Sequence, residues 1–207
     1  MTRAEACCSG VVLSNSAVHF TTPAPFIRWN VEAGSLKPPA RILDLGSGAL
    51  RNAYYLQRRG FTHVSVLEIP ETIARFAKLY SGFAKRGGRI LKKIPDRPAF
   101  DVVICTFVLE TICPASSRHR LLRAAVTALR SGGKFVLSVR GQDDIKATCL
   151  TACKLERRGH VTSLGTFIRE LTVSDVKSML TKEGLTITIA RNRVENPRII
   201  NVIGTKL

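Results

Sequence analysis

The sequence predicts an α/β protein of three layers, with one mostly parallel seven-stranded sheet that ends in an antiparallel β-hairpin. Short apolar runs rich in β-branched residues alternate with longer segments of helical spacing, which is typical of this class. Several of the runs are apolar throughout, as buried parallel strands are. The predicted strands cover residues 42–45, 63–69, 89–94, 101–107, 134–139, 185–190 and 199–204. Residues 191–198 are too few for a helical crossover, so the last two strands are predicted to form the hairpin.

The segments between the strands carry helix signals. Pro70 suits a first helical turn, and Gly87 ends the apolar pattern that follows it. Thr172 and Asp175 form a capping-box pattern, with Asp in place of the usual Glu. We therefore expect five alternating strand–helix units, then a final helix and the hairpin. In the long connection 141–171 we expect a helix that ends near Gly159.

Composition indicates one globular domain. The chain has 207 residues, 45% of them hydrophobic and 23% charged, with a mean hydropathy of +0.09. These values exclude a wholly disordered or collagen-like chain. The longest strongly apolar run, 102–109, is shorter than the ~20 residues of a membrane-spanning helix, and the first ten residues lack the apolar core of a signal peptide. The prediction is a cytoplasmic protein with no membrane partner.

The chain is strongly basic. It has 32 Lys and Arg against 15 Asp and Glu, a formal charge of +17, which favours polyanionic partners. The excess is spread evenly, so a functional basic region must be a surface of the folded domain. The six cysteines show neither paired CxxC spacing nor the density of a disulfide scaffold, and no metal site is predicted. The oligomeric state is left open.

A glycine turn after the first strand predicts a ligand site. Asp44 ends the strand, and Gly46 and Gly48 let the chain bend tightly and let a ligand approach backbone N–H groups. Glu68 follows Gly48 by 20 residues, at the end of the second predicted strand. A carboxylate there can accept hydrogen bonds from both hydroxyls of a ribose. The sequence therefore predicts a nucleoside site at this sheet edge.

A nicotinamide dinucleotide is not favoured at this site. Its fingerprint is Gly-x-Gly-x-x-Gly, and Arg51 occupies the third glycine position. A short-chain dehydrogenase also needs a Tyr-x-x-x-Lys pair, and none of Tyr54, Tyr55 and Tyr80 has lysine four residues on.

The motif Asp44-x-Gly46-x-Gly48 resembles the first motif of the class I S-adenosylmethionine-dependent methyltransferases. The likeness covers roughly residues 40–207. Glu68 matches the ribose-binding acid of that family, residues 100–105 look like its fourth strand, and residues 129–137 look like the start of its fifth. The terminal hairpin is similar to its sixth and seventh strands. The resemblance implies a Rossmann-like domain and S-adenosyl-L-methionine as cofactor.

The resemblance also implies which residues hold that cofactor. Asp44 and the backbone of the loop would hold the methionine part, Glu68 the ribose and Ile69 one face of the adenine. Either Asp96 on a shortened loop meets the adenine amine, or that contact is missing. The implied cofactor set is Asp44, Gly46, Ser47, Gly48, Glu68, Ile69, Asp96, Cys105 and Thr106, the last two at the tip of the fourth strand.

The methyl acceptor is less constrained. Residues 105–110 lack the Asn/Asp-Pro-Pro-Tyr/Phe motif common in methyltransferases that act on exocyclic base amines. The tip looks like the branch that acts on small molecules, certain tRNA positions and proteins. We expect a small-molecule acceptor. RNA, or less favoured DNA, is the alternative because of the charge, and a non-catalytic nucleic-acid-binding protein of the same fold is a second alternative.

Residues outside the shared framework are the candidates for acceptor recognition and proton transfer. We expect residues 1–39 to form an N-terminal helical extension or lid, 40–207 the methyltransferase domain, and 141–171 a substrate-recognition insert within it. The candidate general bases are Glu110, Asp143 and His160. The candidate acceptor contacts are Trp29, for stacking, with Phe167 and Arg169 in the insert.

Overall fold

A computed structural model describes residues 21–141, 151–152, 158–162, 165–190 and 199–207. Its centre is a seven-stranded sheet. The strands are β1 Ile42–Leu45, β2 Val64–Leu67, β3 Arg89–Leu91, β4 Phe100–Thr106, β5 Leu129–Arg140, β9 Leu185–Ala190 and β10 Ile199–Lys206. Their order in the sheet is β3-β2-β1-β4-β5-β10-β9; β1 to β5 run parallel, and β10 lies antiparallel between β5 and β9. The predicted seven-stranded, mostly parallel sheet with its antiparallel pair is confirmed.

Helices cover both faces of this sheet. They are α1 Pro25–Glu32, α2 Arg51–Arg58, α3 Pro70–Arg75, α4 Ala77–Lys85, α5 Ala115–Thr127 and α6 Val173–Lys182, with a 3₁₀ turn at Leu109–Thr111. The first four pack on one face, around Ile42 and Val66, and the last two pack on the other, around Leu43 and Val103. The helix predicted after Pro70 is two helices, because the backbone leaves helical geometry at Phe76.

The connection between β3 and β4 breaks the predicted alternation. Residues 92–99 contain no helix, so the expectation of five strand–helix units is wrong here. Strand β3 is at the sheet edge, and these eight residues must cross β2 and β1 and return to the amino end of β4. That is a path of ~22 Å, which an extended chain of eight residues can span. A helical crossover needs a dozen or more residues. Part of the α5/α6 face, over β1 to β3, is therefore left without a helix.

The insert 141–171 forms a second, small sheet. Strands β6 Thr151–Ala152, β7 Gly159–Val161 and β8 Phe167–Arg169 pair antiparallel, and β8 contacts the 3₁₀ turn after β4. Gly159 begins a strand, and the helix expected before it falls on residues 142–150 and 153–157, which lie outside the described residues. The capping box is confirmed, since Thr172 Oγ1 accepts from the Asp175 amide at 3.1 Å and Asp175 Oδ2 accepts from the Thr172 amide at 2.8 Å.

Within the part of the chain that the structure describes, every helix is too short or too polar to span a lipid bilayer. Likewise, the same part of the chain contains no group of three or more His, Cys, Asp or Glu side chains that could hold a metal ion.

Candidate active site

The loop that follows β1 has three residues in left-handed backbone conformation. Gly46 and Gly48 have φ of 71° and 52°, and Leu50 has φ of 64°. The Gly46 amide donates to the Leu67 carbonyl at 2.8 Å, which ties the loop to β2. A Cβ on Gly46 would collide with the side chain of Val108. Leu50 was missed in the sequence because leucine rarely takes this conformation. The only sign of it is its place two residues after Gly48.

Gly46→Ala is expected to lower the free energy of unfolding by about 2–3 kcal/mol. The left-handed φ costs an L-residue about 1–2 kcal/mol, and crowding against Val108 adds about 1 kcal/mol or more. Gly87→Ala is the matched control, because Gly87 has φ of 82° and nothing within 4 Å of its missing Cβ. Urea denaturation measures both variants. Equal losses in the two would show that Val108 does not crowd the loop.

Tyr80 of α4 holds the same loop from inside the protein. Its hydroxyl donates to the Gly48 carbonyl at 2.8 Å and lies 3.0 Å from Ser47 Oγ. Tyr80 and Ser47 are both buried. The Ser47 side chain is therefore engaged inward, while the amides of Gly46 and Ser47 donate to the Leu67 carbonyl and the Gly48 amide donates to Glu68. Sequence reasoning missed Tyr80, because an aromatic residue at helical spacing looks like any core residue.

Glu68 follows β2 and lies against the glycine loop. Its Oε2 accepts from the Gly48 amide at 2.7 Å and its Oε1 from the Ile69 amide at 2.9 Å. Burial raises the pKa of Glu68, and these two amides partly offset the rise. Each carboxylate oxygen has two lone pairs, so each can accept a further hydrogen bond. The carboxylate is thus fixed at the loop and can still receive a pair of hydroxyl groups.

Asp44 lies below the loop, beside the first turn of α2. It is fully buried, and burial raises its pKa to about 7, with smaller opposing effects from Asn52 and Arg51. Within the described residues, neither carboxylate oxygen has a hydrogen bond of ordinary geometry. Buried polar groups are nearly always paired, so an unpaired carboxylate here is unusual. It destabilises the folded chain when ionised.

Cys105 and Thr106, two predicted residues at the end of β4, have side chains on opposite faces of the sheet. Cys105 packs in the core on the α5/α6 face, and the structure does not bring its side chain to the loop. Thr106 points to the opposite face, where its Oγ1 accepts from Asn52 Nδ2 at 3.1 Å. Asn52 Oδ1 in turn accepts from the Ala24 amide at 2.9 Å, which ties the start of α1 to this site. Asn52 was not predicted as a site residue.

Glu110, in the 3₁₀ turn, is another buried carboxylate. Its Oε1 accepts from the Arg140 amide at 3.1 Å, and among the described residues its Oε2 has no partner. Burial raises its pKa to about 7, and the Arg140 amide and the charges of Arg140 and Arg118 oppose that rise. Arg118 is itself buried, and its guanidinium donates to the Leu109 and Ile112 carbonyls, both at 2.8 Å. This arginine therefore supports the turn that carries Glu110.

In the insert, a histidine on β7 and a carboxylate directly after β8 form a pair. His160 Nε2 lies 2.8 Å from Glu170 Oε1, with side-chain exposures of 22% and 7%. A carboxylate that fixes an imidazole ring is a common arrangement for proton transfer. Phe167 on the same small sheet is buried in its packing, and Arg169 is half-buried.

The remaining predicted residues lie at different places in the fold. Trp29 is 41% exposed on α1 and stacks on Phe26 with ring centroids 6.0 Å apart. Ile69 is half-buried at the start of α3. Asp96 is exposed between residues that line a cleft at the amino ends of the strands, so the structure does not bring it to the glycine loop. Asp143 falls outside the described residues.

A family model described as a methyltransferase domain matches residues 24–188. No curated protein matches the sequence significantly.

Three solved structures illustrate the likeness in fold. The 1,6-didemethyltoxoflavin-N1-methyltransferase of Burkholderia thailandensis, with 1,6-didemethyltoxoflavin and S-adenosylhomocysteine bound, is 19% identical with a TM-score of 0.62, over 88% of this chain and 76% of that chain. An S-adenosylmethionine-dependent methyltransferase from Mesorhizobium loti is 19% identical with a TM-score of 0.64, over 87% and 98%. The glycopeptide N-methyltransferase MtfA, complexed with S-adenosylhomocysteine, is 17% identical with a TM-score of 0.63, over 89% and 91%.

Proposed function

This chain belongs to the family of methyltransferase domains, as a class I enzyme that uses S-adenosylmethionine, and from that premise we propose that it methylates a small molecule. The observation that carries the proposal is Glu68, whose carboxylate is held against the glycine loop by two backbone amides. The expected acceptor position is the carboxyl end of β1, β4 and β5, which is where open α/β sheets bind ligands.

The residues at the loop fit the cofactor. Glu68 retains one lone pair on each oxygen for the two ribose hydroxyls, since each oxygen accepts only one amide hydrogen bond. Ile69, next in the chain, would contact the adenine. Asp44 would act from below the loop, as a buried negative charge that favours the cationic amino group of the methionine part. Ser47 would contribute its backbone carbonyl, since its hydroxyl contacts Tyr80 and its amide donates to the Leu67 carbonyl.

When bound, S-adenosylmethionine supplies a methyl group already activated by its sulfonium, so the protein mainly orients the acceptor. His160 is the residue we propose to receive a proton that the acceptor must lose, with Glu170 as the positioning residue that fixes its ring. Glu110 is fully buried, so we propose that it supports the 3₁₀ turn after β4 and does not transfer a proton directly.

A small acceptor is supported by the surroundings of this site. Strand β8 contacts the 3₁₀ turn after β4, so we expect the small sheet to border the acceptor position. Arg118 is buried and so contributes no charge to a basic surface that could bind nucleic acid. Among proteins of this fold, the Burkholderia enzyme binds a small heterocycle, 1,6-didemethyltoxoflavin. Trp29 on α1 and Arg169 on β8 remain the proposed acceptor contacts.

The acceptor class is testable by tracing the methyl group. Purified protein with S-adenosylmethionine labelled on the methyl group is incubated with host-cell metabolites and, separately, with total RNA and with DNA. We expect label in the low-molecular-mass fraction and none in the polymers above the level of a Glu68→Ala variant. Glu68-dependent label in RNA or DNA, with none in metabolites, would overturn the small-molecule assignment.

A further inference from the structure

A cleft of about 760 Å³ opens at the amino ends of the strands, at the opposite end of the sheet from the glycine loop. It lies where residues 92–99 replace a crossover helix. Its basic lining residues are Arg41, Arg89 and Arg97, together with His63. This cleft plays no part in the proposed methyl transfer.

The sheet register explains why these side chains converge. Arg41 and His63 immediately precede β1 and β2, and Arg89 begins β3. Because Leu43 faces the α5/α6 core and side chains alternate along a strand, Arg41 projects from that same face. Ser65 pairs with both Leu43 and Arg89, which places Arg89 on that face too. Arg97, in the connection 92–99, also lines the cleft.

The lining of the cleft is basic. Among the described residues it contains no Asp or Glu, although exposed Asp96 lies between the lining residues Pro95 and Arg97. Within the described residues, the guanidinium groups of Arg41, Arg89 and Arg97 have no ion-pair partner, whereas Arg130 pairs with Asp101 at 3.1 Å. The second Asp101 oxygen accepts from the Arg41 backbone amide at 2.8 Å, so the nearest carboxylate on the sheet is already engaged.

We propose that this cleft, with the exposed basic residues that border it, binds the phosphodiester backbone of a nucleic acid. The three lining arginines and His63 are exposed, and so are Arg86, Lys92 and Lys93 beside them. A site for a small phosphate would enclose its cations, whereas an exposed row suits a polymer with repeated charges. Phe100, the only aromatic ring in the lining apart from the His63 imidazole, is buried, so contact is to phosphates rather than by stacking on bases.

Fluorescence anisotropy with a labelled oligouridine over a salt series tests this surface. For contact with about three phosphates, the logarithm of affinity falls against the logarithm of salt concentration with a slope of about −2. The triple variant Arg41→Gln, Arg89→Gln, Arg97→Gln is expected to lose most of that slope and at least about tenfold in affinity at ~50 mM salt. The matched control is Lys78→Gln, Lys177→Gln, Lys182→Gln, which removes the same charge from exposed helix positions.

Three results would overturn the proposal. Absence of oligouridine binding by the unchanged protein at low salt would rule out a nucleic acid as the partner of this cleft. Equal losses in the two triple variants would assign binding to net charge alone. Displacement of the oligouridine by inorganic pyrophosphate, at concentrations where sodium chloride of equal ionic strength does not displace it, would assign a small-anion site. None of these results depends on cofactor binding or on methyl transfer.

Discussion

Arg118→Met is expected to lower the free energy of unfolding by about 3–5 kcal/mol. Arg118 is 2% exposed, and its guanidinium satisfies the carbonyls of Leu109 and Ile112 while lying near the buried Glu110. Methionine fills a similar volume but removes the guanidinium donors from the Leu109 and Ile112 carbonyls, and it removes one of the two arginine charges, with Arg140, that lie near Glu110. Removal of one member of a buried charged group typically costs 3–5 kcal/mol.

Two further variants separate charge from geometry at this position. Arg118→Lys keeps the charge but lacks the planar fork, so it should recover only part of the loss. Arg120→Met, two residues away on the exposed side of the same helix, is the control, with an expected change within about 0.5 kcal/mol. Denaturant titration measures all three. A loss below about 1 kcal/mol for Arg118→Met would mean that the turn after β4 does not depend on this arginine.

Asp44→Asn is expected to stabilise the ligand-free protein above pH 7 by about 3–4 kcal/mol. Burial raises the pKa of Asp44 from 3.8 to about 7 in the folded protein. The folded state then binds more protons than the unfolded state between pH 4 and 7, so this group's contribution to stability falls as pH rises through that window. A difference of about three pKa units corresponds to ~4 kcal/mol. The neutral amide does not incur this cost.

The pH dependence identifies the cause of the effect. The advantage of Asp44→Asn should shrink as pH is lowered from 7 and fall below about 1 kcal/mol near pH 4, where the folded-state carboxyl is protonated and the unfolded-state carboxyl is close to its pKa of 3.8. Glu110 also has a pKa raised to about 7, but it is present in both proteins and cancels in the comparison. Asp96→Asn, at an exposed position, controls for the loss of one charge. A stability difference that is constant from pH 4 to 8 would contradict a buried ionised Asp44.

The sheet was predictable because its strands are local and strongly patterned. The run Ile42-Leu43-Asp44-Leu45 is followed at once by a glycine turn, and β1 covers the predicted residues 42–45. The missing helix after β3 was signalled by Pro95 and Pro98, since proline removes a backbone donor and restricts the residue before it. The alternating pattern elsewhere in the chain led to a helix being expected there.

The site was only partly predictable, because its support comes from residues distant in sequence. The acidic residue after β2 and the glycine pair were visible as a motif. The contacts of Tyr80 with Gly48, of Asn52 with Thr106 and of Arg118 with the turn after β4 depend on packing between elements. Such long-range polar contacts leave no periodic signal, since a buried Arg or Asn has the same local sequence as an exposed one.

Binding of S-adenosylhomocysteine, followed by thermal unfolding, tests the central claim most directly. At about 100 times the dissociation constant the ligand should add ~2.7 kcal/mol of stability, which raises Tm by about 5–10 °C for a chain of this size. Glu68→Ala should weaken binding about 30-fold, since a hydrogen bond to a charged group contributes about 2 kcal/mol, while Glu71→Ala should not. An unchanged Tm at millimolar S-adenosylhomocysteine, or equal affinity in Glu68→Ala and the unchanged protein, would contradict the account.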